Sequence, residues 1–266
     1  MVYTPEQQAN FLQEQRSAVQ KLSDLQRRFI VEGEAYAHTR VHEHLVHGVG
    51  RRLTVMRKSL QNIYELFPVD CEQALPLDVL ADVQINLHAF LMNVAGLFEN
   101  CAWAFVLRHG LDSHIPEMRV SLFSKETKRH LPAAIRDYLA AEPGATWQRE
   151  YLKAYRDALA HRVPPYIPPF LQTEQQAADD RAISARHLKH LQAGELDLAM
   201  AAAAELLPLR RTPAFFFIHS LSALQSKAIR LHPQVICDVL SGVQFCELFL
   251  DNWHLKSQPA APQAAA

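Results

Sequence analysis

The sequence predicts an all-α protein, and three observations carry that reading. Glycine is scarce, with 8 in 266 residues, while Ala, Leu, Gln, Glu and Arg abound, all good helix formers. Apolar residues recur at three- and four-residue intervals over long stretches, the period of a helix face. Strand alternation is nearly absent; only "TPAFFFI" reads as a short strand or a packed loop.

The elements follow in order. Thr4 is a natural N-cap, Pro5 suits the first helical position, and Gln7 stands three residues on, as a capping box requires. Phe11, Ala18, Leu22, Leu25 and Phe29 then mark one face. Gly33 interrupts, the pattern resumes from Ala35 to Val46, and "RRLTVMRKSLQNIYELF" continues to Pro68. Residues 79–108 are apolar nearly all round, which predicts a central helix whose polar residues Asn93, Glu99 and Asn100 need partners. Ser124 caps a shorter segment, "SKETKRHLPAAIRDYLA". Trp147 to Arg162 reads as one helix, stopped by the extended "VPPYIPPFL". Thr173 to Leu207 is a helical stretch broken at Gly194, and a last helix runs from about Pro233 to Trp253. The expected organisation is one domain over 1–256. Its core is about 79–165 plus 233–253, with added long N-terminal helices, a C-terminal helical extension and a disordered tail at 257–266.

Composition limits function. The net charge is −1 with 14 histidines, so no global basic field attracts nucleic acid, and any such contact needs a local patch. Cys71, Cys101, Cys237 and Cys246 form no CxxC pair, which predicts a reduced, cytosolic protein. The N-terminus does not read as a signal peptide. No unbroken apolar run reaches the roughly 18 residues of a bilayer span, so no membrane partner is expected. No P-loop, dinucleotide fingerprint, GxSxG or HExxH motif is present, and no cofactor or metal is expected. His38, His42, His44 and His47 cannot share one metal site on a continuous helix. His38 and His42 share one face, and His44 and His47 lie near the opposite one.

The stretch that invites chemistry is "YRDALAHRVPPYIPP". Chance supplies about one Arg-x4-His pair in a chain this rich in both residues, so the spacing alone does not mark Arg156 and His161. On an ideal helix they stand about 140° apart. The prolines distort the last turn, however, and His161 can swing toward Arg156 there, or a second copy can bring its own pair into one cleft. Arg149, Lys153 and Arg156 fall within about 60° and form a basic stripe, and Arg162 follows directly. Such a set suits phosphodiester chemistry. Arginine grips phosphate and keeps its charge, and histidine moves protons near neutral pH. The "SKETKRH" run, with Lys125, Lys128 and Arg129, offers a further basic surface.

"RDALAH" in a helical chain resembles the signature of the HEPN superfamily (higher eukaryote and prokaryote nucleotide-binding). "YRDALAHRVPPYIPP" together with "NVAGLFENCAW" is similar to its larger prokaryotic members of uncharacterised function; "LHPQVICDVL" fits the same group. The resemblance implies a helical bundle and a metal-independent endoribonuclease, often a toxin or anti-phage effector, with its site completed across a homodimer. Partners of that kind would be RNA and a cognate antitoxin or defence protein. It implies Arg156 as phosphate-binding cation, Asp157 as orienting residue and His161 as acid/base. Asn93, Glu99 and Asn100 would support the site from the neighbouring helix, and Arg149, Lys153 and Arg162 would hold RNA. Some members have lost nuclease activity and act as nucleotide- or protein-binding modules. In some toxins a Tyr two residues after the His is modified for control; here Val163 holds that place.

Overall fold

The computed structural model describes residues 3–142, 144–147, 151–220, 222 and 224–256. The tail expected at 257–266 lies outside the described residues. The chain is a helical bundle with one small two-stranded sheet. Helix α1 spans Pro5–Glu34, and its start is the expected capping box: the Thr4 hydroxyl accepts from the Gln7 N–H, and the Gln7 side chain accepts from the Thr4 N–H. Ala18, Leu22, Leu25 and Phe29 are its buried stripe.

The next stretch departs from expectation. The helix predicted from Ala35 to Val46 is broken by turns over 35–39, with His38 in the left-handed region at φ 64°. A single turn, α2 (Arg40–His42), then runs into a π-helix, Glu43–Gly50, and on into α3, Arg51–Leu66. The wider π turn rotates everything after it relative to an ideal α-helix. Gly33 explains why the chain crosses itself closely here. A Cβ at that position would stand 2.4 Å from Val46 Cγ2 and 3.3 Å from Leu45 Cβ. Gly33→Ala is therefore expected to destabilise by about 1–2 kcal/mol, because overpacking outweighs the gain in helix propensity. A urea titration that finds the variant as stable as the parent would refute this close approach.

Helix α4, Leu77–Arg108, is the central helix, buried from Leu80 to Val106 against α3, α8 and the π segment. Two short helices follow, α5 (Lys125–Lys128, capped by Ser124) and α6 (Ala133–Ala140), separated at Pro132. Of the predicted Trp147–Arg162 helix, residues 148–150 lie outside the described residues, Lys153–His161 forms α8, and Trp147 ends a short helix, α7 (Gly144–Trp147). The proline-rich connection after α8 is pinned to α4. His88 Nε2 donates to the Pro165 carbonyl at 2.6 Å, and the Gln84 side chain accepts from the Ile167 N–H at 2.7 Å.

Helices α9 (Glu174–Ala193) and α10 (Leu196–Leu206) turn back on each other at Gly194, whose φ of 74° only glycine adopts without strain. Arg210 holds this hairpin by a forked contact to Asp180 at 2.6 and 2.8 Å, which keeps the Asp180 carboxyl well below its usual range. "TPAFFFI" resolves as strand β1 (Phe216–Ser220), paired antiparallel with β2 (Ser226–Arg230). The proline strap adds one bridge at Tyr166 to Ile218.

Helix α11, Leu231–Asn252, closes the bundle. His232, at its start, is buried in the bundle, ringed by Tyr3, Tyr64, Phe67 and Phe215. Helices α4 and α11 are each long and apolar enough to cross a membrane by length and composition, a property that buried core helices share. Within the bundle 67% and 56% of their most apolar windows are buried. Cys101 and Cys246 sit together in the core, where burial pushes the Cys246 thiol far up; all four cysteines are free.

Candidate functional site

Helix α8 is amphipathic for a simple reason. Ala154, Tyr155 and Ala158 face the core, and Lys153, Arg156 and His161 stay exposed. The prolines at 164 and 165 force the chain out of the helix, and Arg162 is already extended, at φ −131° and ψ −158°. Arg156 NH1 donates to Glu99 Oε1 on α4 at 2.5 Å, and Arg156 Nε lies 3.7 Å from Asp157. Arg156 and Glu99 are each about half exposed (50% and 46%), so the cation is held yet reachable.

This pair lines a groove of about 450 Å³. Ala95, Phe98 and Glu99 form one wall and Lys153 and Arg156 the other, with Ser121, Phe123 and Ser124 along the edge. Phe98 and Phe123 also wall an adjoining apolar pocket of about 470 Å³ that holds Tyr138, Trp147 and Tyr151. A two-cation groove thus opens beside an aromatic chamber.

Several expected site residues lie where the sequence placed them. Glu99 reaches Arg156 from the neighbouring helix, Asp157 flanks it, and Lys153 shares its groove. Others do not. His161 is exposed at the helix end and does not line the groove of a single chain. Arg162 folds back, its NH2 donating to the Ala154 carbonyl at 3.1 Å, rather than extending the basic stripe. Arg149 lies outside the described residues.

Asn93 and Asn100 point away from Arg156. Asn100 Oδ1 accepts from Arg52 Nε at 2.7 Å, and Asn93 Oδ1 accepts from Arg52 NH1 at 3.3 Å. The Asn100 amide then donates to His44 Nδ1 at 3.1 Å, and the His44 ring stacks on Trp103 at 5.7 Å with 11° between planes. Desolvation, helped by Arg40, lowers the His44 pKa, consistent with a neutral ring that accepts this bond. Desolvation likewise lowers Arg52, and Glu99 acts against it.

The seam between α4 and the π segment is cut to fit these side chains. A Cβ on Gly96 would stand 2.2 Å from the Arg52 guanidinium, and one on Gly48 would stand 2.7 Å from the Asn100 amide. Reading the sequence missed Arg52, His44 and Gly48. The available sign was two glycines inside otherwise helical runs of a glycine-poor chain.

Among the described residues no three His, Cys, Asp or Glu side chains gather as a metal-sized group. His42 pairs with Glu34 at 3.6 Å, and the break at residues 35–39 removes the continuous helix on which His38 and His42 were placed together.

The architecture defines an all-α bundle carrying an ion-paired groove between its central helix and a proline-terminated helix. The chain matches no protein-family model, no curated protein and no solved structure.

Proposed function

We propose that the chain binds single-stranded RNA in the groove between α4 and α8 and cleaves it without a metal ion, as an effector of the toxin or anti-phage kind. The observation that carries this is the reachable Arg156, braced by Glu99 and lining the groove with Lys153 beside an aromatic chamber. Cations that track phosphates, next to rings that stack bases, are what single strands require. In the reaction the 2′-oxygen attacks the adjacent phosphorus as a base removes its proton. The bond to the 5′-oxygen breaks as an acid protonates that leaving oxygen. The products are a 2′,3′-cyclic phosphate and a 5′-hydroxyl. Arg156 neutralises the charge on the phosphorane, and His161 serves as acid or base. A two-fold homodimer would bring a second His161 to the same cleft, supplying both roles.

The test is incubation of purified protein with total RNA in excess chelator, followed by analysis of the new ends. Cyclic phosphates are expected, and Arg156→Ala and His161→Ala each reduce cleavage about 100-fold or more while melting like the parent. Cleavage unchanged in both folded variants refutes the assignment.

One observation favours a second reading. His161 does not line the groove of a single chain, as expected of a nucleotide- or protein-binding module without catalysis. That reading predicts no cyclic phosphate and binding that still depends on Arg156.

A further inference from the structure

On the other side of the same α4 turn lies a second opening, of about 280 Å³. His47, Gly48, Arg51, Arg52, Asn93 and Asn100 surround it, and among the described residues no carboxylate does. Arg52 is anchored by two neutral amide oxygens, not by an acid. The carboxylate that acts on it, Glu99, is already bound to Arg156 at 2.5 Å. Arg51 is exposed and leans on His47, with its NH2 3.4 Å from Nδ1. Two guanidiniums thus face one opening without a counter-charge of their own, and amides fix one of them in orientation. Glycine at 96 and 48 leaves the room that a Cβ would take from Arg52 and Asn100. The π-helix beside it sets the register that turns His44, Gly48 and Arg52 to one seam, and π segments concentrate at binding sites.

From this geometry we infer that the Arg51/Arg52 opening is a phosphate subsite, holding a backbone phosphodiester of the same RNA strand that lies at Arg156. The inference rests on the RNA reading of the groove. Gly96 lies under Arg52, Ala95 lines the Arg156 groove, and Glu99 acts on both guanidiniums. The two cations therefore flank a single turn of α4. Arg52 offers its remaining N–H groups in a fixed fork, and Arg51 closes over the bound oxygen atoms.

The experiment is anisotropy of a labelled 2′-O-methyl RNA of about 12 nucleotides, which cannot be cleaved, across a potassium chloride series. The parent is compared with Arg51→Ala, Gly96→Ala and Arg156→Ala, each first checked by thermal melting. Arg51→Ala is expected to weaken binding about 5- to 10-fold at low salt and to flatten the slope of log K against log salt by about 0.7, one single-strand phosphate contact. Gly96→Ala keeps every charge but displaces the Arg52 guanidinium, and should weaken binding comparably. If it fails to fold, Arg51→Ala alone decides. Parent-like binding by Arg51→Ala with weakened binding by Arg156→Ala overturns the subsite and leaves the groove reading standing. The reverse pattern supports the subsite and removes the groove. A parent that does not bind, or three variants that all bind like it, overturns both.

Discussion

Trp253→Ala is expected to destabilise the protein by about 3–5 kcal/mol. The indole is fully buried just beyond the last turn of α11, and four parts of the chain meet on it. Phe249 stacks against it at 5.7 Å, Tyr36 meets it edge-on at 5.4 Å, and the Arg108 guanidinium lies 4.7 Å from its centre. Its Nε1 donates to Glu32 Oε1 at 3.2 Å, and its carbonyl accepts from His109. Truncation removes apolar burial, leaves a cavity and deprives Arg108 of its aromatic face. Trp253→Phe keeps the ring and loses the Glu32 bond, so it should cost about 1 kcal/mol. Equilibrium denaturation checks both. A Trp253→Ala variant within about 1 kcal/mol of the parent would show that these four parts do not depend on the indole.

Asp238→Asn is expected to stabilise the protein above pH 7 and to leave it unchanged near pH 4. Asp238 is fully buried. Its Oδ1 accepts from Trp147 Nε1 at 2.8 Å and from Gln234 at 2.9 Å. Its Oδ2 faces the Tyr155 hydroxyl without full hydrogen-bond geometry. Burial pushes the carboxyl up to about 6 from 3.8, and the bonds from Trp147 and Gln234 pull the other way. The folded chain therefore holds a proton, between about pH 4 and pH 6, that the unfolded chain has released. Stability falls as pH rises through that window, by on the order of 3 kcal/mol. An Asn keeps one oxygen for Trp147 and Gln234, offers its NH2 to Tyr155, and carries no charge.

His232 does the opposite. Burial holds it down at about 4, with its Nε2 donating to the Phe67 carbonyl at 2.7 Å. Its contribution is lost as pH falls from about 6.5 to 4, by a similar amount. In the parent the two slopes offset each other. In Asp238→Asn the opposing carboxylate slope is gone, so stability should climb steeply from pH 4 to pH 6.5. Melting temperatures across pH 4–8 decide it, and a variant no more stable than the parent at pH 8 would sink the claim.

The apolar periods of α1, α4 and α11 could be read directly, because burial against a bundle imposes a three- and four-residue spacing on sequence. Thr4, Ser124, Gly194 and the prolines at 164 and 165 marked boundaries by local chemistry that acts within a few residues. The seam at Arg52 escaped for a physical reason. Counting at 100° per residue assumes one continuous α-helix from Ala35 onward, and the turns at 35–39 plus the π-helix break that count before Arg52 is reached. Asn93 and Asn100 were legible as polar residues in need of partners. Which neighbour would satisfy them depended on the crossing of two helices distant in sequence. The Glu99–Arg156 contact was suggested by the resemblance, whereas the inward fold of Arg162 follows from a carbonyl no pattern announces.

The π-helix also makes helical winding a specificity determinant in this part of the chain. If Glu43–Gly50 wound as ordinary α-helix at the same length, α3 would begin about 100° out of phase. The helix itself would survive, with much the same content and hydrophobicity. Arg52 would then turn away from the asparagines, and another side chain would occupy the glycine-floored notch. Relatives of the same length without the π turns would share the fold and not the recognition chemistry, a distinction invisible to percentage identity.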